Sequence, residues 1–224
     1  MISFQSELRA GSPHAECRQV VKIRAVRLGQ EQTLIQKSEA MQIRMFLLLC
    51  VFLVGAAKAD DGPASIPPEQ IRGGELVDAS NGFAVGFNPS YDWTMHQSGS
   101  GYVTRYQGID SQTGIIYFIS IDTRRYPELD KANAEKYQAG MRSGLAASGW
   151  NIKRFSLEPS NLPRDNSYLA MNVATHSSGK EATFIEHFTS TGRLYSISAA
   201  IPVGQGKEQY QLLLRSFRFL PTQP

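Results

Sequence analysis

"YLAMNVATH", residues 168–176, and "ATFIEHF", residues 182–188, flank the polar turn Ser177-Ser178-Gly179-Lys180. Two runs of this composition around a short Gly-containing turn read as an antiparallel β-hairpin. The hairpin decides the fold class because its neighbours also read as strands. "WNIKRFSLEP" (150–159) precedes it, and "RLYSISAAIPV" (193–203) follows with Tyr195, Ile197, Ala199 and Ile201 on one face. A turn centred near Ser178-Gly179 sets His176 opposite about Glu181 and His187 opposite about Ala170.

Further out, "GFAVGFNPSYDW" (82–93) opens with the alternation Phe83, Val85, Phe87 of a half-buried strand. Asn88-Pro89 ends it, since proline has no N–H for a ladder. "YVTRYQG" (102–108) and "GIIYFISIDTRR" (114–125) are two more strands. The second is apolar on both sides over Ile115–Ile119, as a central strand is. Asp130 caps a helix from about Lys131 to Ser148, and Gly149 closes it. Tyr137, Met141 and Leu145 fall at i, i+4 and i+8 along one apolar stripe. A second helix starts near Lys207 and carries Tyr210, Leu213 and Leu214 before "SFRFL". Strands, a helix, a run of strands and a helix predict an α+β domain over residues 75–224. Its sheet is mainly antiparallel with six or seven strands, and it has two main helices. "DDGPASIPPEQIRGG" (60–74) reads as a flexible leader.

Upstream lies "MQIRMFLLLCVFLVGAAKADDG" (41–62). Arg44 precedes an uncharged run from Met45 to Ala57, and Ala57-Lys58-Ala59 places small residues at −3 and −1 of a cleavage site. This is the pattern of a secretory signal peptide over 41–59. The run is shorter than the roughly 20 residues that span a bilayer. Leu47-Leu48-Leu49 before Cys50 rules out lipid attachment there. Residues 1–40 carry Glu7, Glu16, Glu31 and Glu39, against a mitochondrial presequence, and read as a mis-assigned upstream extension with the true start at Met41 or Met45. The expected location is periplasmic or secreted, with no stable membrane anchor after cleavage.

Cleavage after Ala59 changes the charge. Residues 1–59 hold eight of the 23 basic and four of the 20 acidic residues, leaving 15 and 16, a net charge of −1. No Lys/Arg-rich run survives, so the footprint of a nucleic-acid binder is missing, as is a polybasic membrane patch. Cys17 and Cys50 both lie in the removed part. Stability then rests on a hydrophobic core, which a chain of this size can supply by burying roughly 70% of its unfolded surface.

"GFAVGFNPSYDW" and "TGRLYSISAAIPVGQGKEQYQLLLRSFRFL" (191–220) together resemble the PsbP-like/DcrB-like superfamily, in its periplasmic bacterial type. That superfamily includes the extrinsic photosystem II subunit, bacterial periplasmic relatives and type VI effector chaperones. The resemblance covers roughly residues 80–220 in order and spacing, mostly at core positions. It implies a non-enzymatic α-β-α sandwich that binds or assists another protein. No site residue carries over with it.

The chemical motifs are sparse. "QSGSG" (97–101) has Gln97 where a nucleophile elbow needs Gly, and reads as a loop. Gly206-Lys207 lacks the first glycine and the hydroxyl residue of a phosphate loop, with Ile201 and Glu208 at those places. His176 and His187 are about 20 Å apart at strand rise and cannot share an ion. Glu186 and His187, adjacent in a strand, face opposite ways. His96 completes the histidines that follow the expected cleavage site, and Asp92, Asp110, Asp122 and Glu128 sit near strand ends or loops without evident convergence. No catalytic residue, metal site or cofactor is expected. Trp93 and Trp150 could line a pocket but fit core packing better. "DTRRYPE" (122–128) is the most site-like loop, with Arg124, Arg125 and Tyr126 as candidate contacts to a protein partner in the cell envelope. The leading expectation is an exported accessory or binding protein holding such a partner. The alternatives are a hydrolase using a histidine with a nearby acid and hydroxyl, and a small-molecule or lipid carrier with a cavity between sheet and helix.

Overall fold

Backbone pairing in this computed structural model, which describes residues 63–98 and 100–221, yields twelve strands and two α-helices. In chain order these are β1 (Ala64–Ser65), β2 (Ile71–Arg72), β3 (Glu75–Asp78), β4 (Phe83–Gly86), β5 (Asp92–Gln97), β6 (Val103–Ile109) and β7 (Ile116–Asp122). There follow α1 (Lys131–Ala147), β8 (Trp150–Ser160), β9 (Ser167–His176), β10 (Glu181–Ser190), β11 (Leu194–Pro202), α2 (Glu208–Ser216) and β12 (Arg218–Phe219). The α+β class holds. The strand number does not: an eight-stranded sheet, β1-β5-β6-β7-β11-β10-β9-β8, is joined by a four-stranded sheet, β12-β4-β3-β2, and every pairing is antiparallel.

The shortfall arises from short strands that carry little periodicity. "GFAVGF" belongs to the small sheet, while Asp92–Gln97, with only Trp93 and Met95 apolar and ending at the Ser/Gly loop, is a full strand of the large one. The expected flexible leader is also corrected. Ala64 and Ser65 pair with Met95 and Thr94, Ile66 is buried, and Ile71-Arg72 pairs with Leu76 and Glu75. Proline and glycine density there marks tight turns inside the fold. The signal peptide, its cleavage residues Ala57 and Ala59, and the extension over 1–40 lie outside the described residues.

β7 sits between β6 and β11, as a strand apolar on both faces should. The β9–β10 hairpin forms around 177–180, but its register differs by one residue. Thr175 faces Glu181, Ala170 faces Glu186 and Leu169 faces His187. A shift of this size exchanges side-chain faces, so His176 and His187 point to opposite sides of the sheet.

Alternation gives the large sheet two unlike faces. One carries Trp93, Tyr106, Tyr117, Ile119, Ile121, Tyr195, Ile197 and Ile201 against Tyr210, Leu213 and Leu214 of α2 and Leu76, Phe83, Val85 and Phe217 of the small sheet and its approach. This layer is therefore α2 plus a sheet, not a helix alone. The other face meets α1, whose N-cap Asp130 accepts a hydrogen bond from the Asn133 N–H at 2.7 Å. Helix α1 packs over β8, where the Arg142 guanidinium lies 4.0 Å from the Phe155 ring centroid. A smaller core of Leu129, Ala134, Ala170, Phe188 and Leu194 fills that side.

Candidate functional site

Helix α1 leans toward the β8 edge and leaves the strip of sheet formed by β6, β7 and β11 without a helix above it. Between α1 and this strip lies a cavity of about 310 Å³. Its floor is Phe118 and Ser120 of β7 with Ser196 and Ser198 of β11; its wall is Tyr137, Gly140, Met141 and Leu145 of α1. The predicted stripe Tyr137–Met141–Leu145 thus borders the groove. The helix positions buried against the sheet are Ala134, Gln138 and Leu145. Helical rotation of about 100° per residue puts 137 and 141 just off the contact line.

Glu186 lies at the inner side of the groove, 6% exposed. Its carboxylate accepts hydrogen bonds from the Tyr137 hydroxyl at 2.8 Å, the Gln138 side-chain N–H at 2.6 Å, and the Ser196 hydroxyl. Burial pushes its pKa up, and the three donors together with the Arg105 charge pull the other way without overcoming it. The same burial raises the Tyr137 phenol well above its ordinary value, which keeps it a donor.

A second carboxylate stands at the mouth. Asp122 accepts from the Arg124 backbone N–H at 3.0 Å, the Arg124 guanidinium, and the Tyr126 hydroxyl at 3.0 Å. Burial pushes this carboxyl up, but the hydrogen bonds and charge of Arg124 outweigh it and hold Asp122 below its ordinary value. Tyr126 N–H donates to the Gly192 carbonyl at 3.0 Å, and Thr123 N–H to the Tyr102 carbonyl at 2.8 Å. The loop after β7 is thereby tied to both neighbouring turns. Arg105 of β6 lies 5.9 Å from the Phe118 ring centroid and donates to the Ser120 hydroxyl at 3.3 Å.

Of the residues singled out from the sequence, Asp122, Arg124 and Tyr126 come together at the groove mouth. Arg125 is exposed and does not line the groove. Asp110 organises the β6–β7 turn, accepting from the Thr113 hydroxyl at 2.6 Å. Asp92 and Glu128 are exposed. Trp93 is 8% exposed in the main core, its indole N–H donating to the Asn88 carbonyl at 2.9 Å. Trp150 packs edge-on against Phe184, which lines the groove.

His187 Nδ1 lies 2.8 Å from the Tyr210 hydroxyl on the α2 side, and that hydroxyl donates to the Ile197 carbonyl at 2.9 Å. His176 meets Ser178 at 2.7 Å in the hairpin turn, and His96 lies 3.2 Å from Thr94. No histidine is among the groove's lining residues, so the arrangement sought for a histidine-based hydrolase is not present in it. Among the described residues, no group of three or more His, Cys, Asp or Glu could hold a metal ion. No helix among them is long and apolar enough to cross a membrane.

The groove residues that the sequence did not single out as a site are Asn172 and the serines, with Tyr137 read only as part of the apolar stripe and Glu186 weighed only beside His187. One signal was present: Leu194, Ser196, Ser198 and Ala200 alternate with the apolar set Tyr195–Ile201, marking a small, polar face on a central strand. Glu186 inside "TFIEHF" was the other. Neither a protein-family model nor a curated protein matches this chain.

Proposed function

We propose that this protein is an exported, non-catalytic binding protein that holds a ligand in the groove between α1 and the β6–β7–β11 strip. The carrying observation is the cavity itself: about 310 Å³, concave, with aromatic and aliphatic walls and a few convergent polar groups. That matches the size and lining of ordinary small-molecule sites. Export and release from a signal peptide at Ala59 belong to the same reading, as does kinship with the PsbP-like/DcrB-like proteins and their α-β-α sandwich. Native mass spectrometry of the protein purified from its own cell envelope tests it. A bound small molecule that is lost from a Gly140→Leu variant supports the reading, and a bare chain under gentle conditions in both overturns it.

A protein partner is the second reading. The groove mouth adjoins Tyr102, 53% exposed, and the exposed Arg124 and Arg125. Aromatic and Arg side chains grouped at a rim are the composition of an interface. Crosslinking in the native envelope with a photoreactive residue in place of Tyr102 distinguishes the two: a discrete protein adduct favours a partner, and its absence alongside a retained small molecule favours the groove.

A further inference from the structure

We infer that the groove takes an uncharged, amphipathic small molecule whose polar end donates a hydrogen bond to Asn172. The inference rests on the groove being a binding site and names what fits it.

Asn172 is 4% exposed and lines the cavity on β9, on the sheet face that meets α1. Its Oδ1 is buried without a hydrogen-bond partner. Buried acceptors in folded proteins are nearly always satisfied, and one left open beside a cavity marks a place where a donor belongs. Most of the buried donors nearby are already engaged. Tyr137, Gln138 and Ser196 all donate to Glu186, and Arg124 and Tyr126 to Asp122. Gln138 Oε1, 0% exposed, is a second acceptor without a partner. The two buried side-chain atoms left without a partner here, Asn172 Oδ1 in the groove lining and Gln138 Oε1 on α1, are both acceptors, so the missing piece is a donor.

Charge narrows the class. The ionisable residues Arg105, Arg124, Asp122 and Glu186 line the groove in equal numbers of each sign. A ligand with a net charge would add an uncompensated ion to a partly dry site, which is costly. The remaining wall, Phe118, Phe184, Met141 and Leu145, is apolar and suits a hydrocarbon or aromatic body. A primary amide or alcohol on an apolar tail satisfies all three conditions.

The test uses the full chain and four probes that share one tail: octanamide, methyl octanoate, octanoate and octylammonium. Calorimetry should find octanamide the tightest. Asn172→Leu should weaken octanamide roughly three- to tenfold, the worth of one hydrogen bond, and leave methyl octanoate unchanged. Asn172→Ala, smaller than the native residue, gives the same comparison if the leucine variant misfolds. Gly140→Leu should abolish binding of both, because a side chain at Gly140 meets nothing within 4 Å at its Cβ and can extend over the cavity it lines. Methyl octanoate binding as tightly as octanamide, or tighter binding of either ion, overturns the inference while leaving the groove as a binding site. Absence of binding by all four probes, or indifference to Gly140→Leu, overturns the groove reading with it.

Discussion

The two faces of the large sheet are built from one set of strands and end as opposites. Toward α2 and the small sheet, aromatic side chains interlock: Phe83 lies edge-on to Tyr106 at 5.8 Å and stacks on Phe217 at 5.4 Å, while Tyr91 stacks on Tyr117 at 5.0 Å. Several of its polar groups are tied off, as where buried Asp78 accepts from Tyr106 at 2.8 Å and from the Asn81 side chain at 2.6 Å, while the Tyr117 hydroxyl is buried without a partner. Toward α1, small and polar residues occupy the central strands, the helix stands to one side, and space remains. The difference teaches that a sheet leaves a groove on one face when large side chains are withheld there, while the other face carries the stability.

That contrast can be broken most forcefully by truncation. Phe83→Ala on the filled face should cost about 3–5 kcal/mol, whereas Phe118→Ala at the groove should cost about 1 kcal/mol or less, since little lies above it to collapse into a void. Urea unfolding of the two variants measures the gap. Equal losses would erase the distinction between the faces.

Acid probes the filled face next. Burial holds His187 down to about 4 against 6.5 when solvated. The unfolded chain therefore binds the proton more tightly. The stability from keeping His187 neutral is complete above pH 6.5 and is lost as pH falls toward 4, by about 3 kcal/mol. Denaturation midpoints across that window should fall in the native protein and flatten in His187→Gln.

Gly108 sharpens the same point at the scale of one methyl group. A Cβ there would lie 2.8 Å from the Trp93 indole, so Gly108→Ala should cost about 1–3 kcal/mol through overpacking. Thermal melts should show a lower midpoint for this variant.

The groove face should be far more forgiving. Glu186→Gln should change stability at neutral pH by less than about 1 kcal/mol, because burial already disfavours its charge and the open Gln138 Oε1 can turn to meet a new amide N–H. Smallest of all, Gly140→Ala should stabilise by about 0.5–1 kcal/mol, as alanine does in a helix wherever nothing obstructs its methyl group.

Much of this arrangement was readable in advance where local chemistry is strong. The Asp130 cap and Gly149 close α1 near the expected places. Tyr195, Ile197, Ala199 and Ile201 share the buried face that their alternation announced. The losses have specific causes. Ala64–Ser65 and Ile71–Arg72 are two-residue strands that exist only because β5 and β3 offer edges to pair with. The hairpin register moved by one because the turn accommodates the His176–Lys180 backbone bond. At the site, Arg124 and Tyr126 stood out as a loop motif. Glu186 and Asn172 hid in apolar runs because nothing in a strand's own composition says whether a polar side chain meets a donor, a cavity or water.

By itself the sequence determined the class of fold, the position of both helices, and the existence of one strongly apolar face on the final strands, because periodicity and capping act over a few neighbouring residues. Only the tertiary structure decided how many strands pair, which face α2 and the small sheet close, and where α1 stops short of covering the sheet. Those outcomes depend on contacts between residues far apart in the chain, and a groove is the space such contacts leave unfilled.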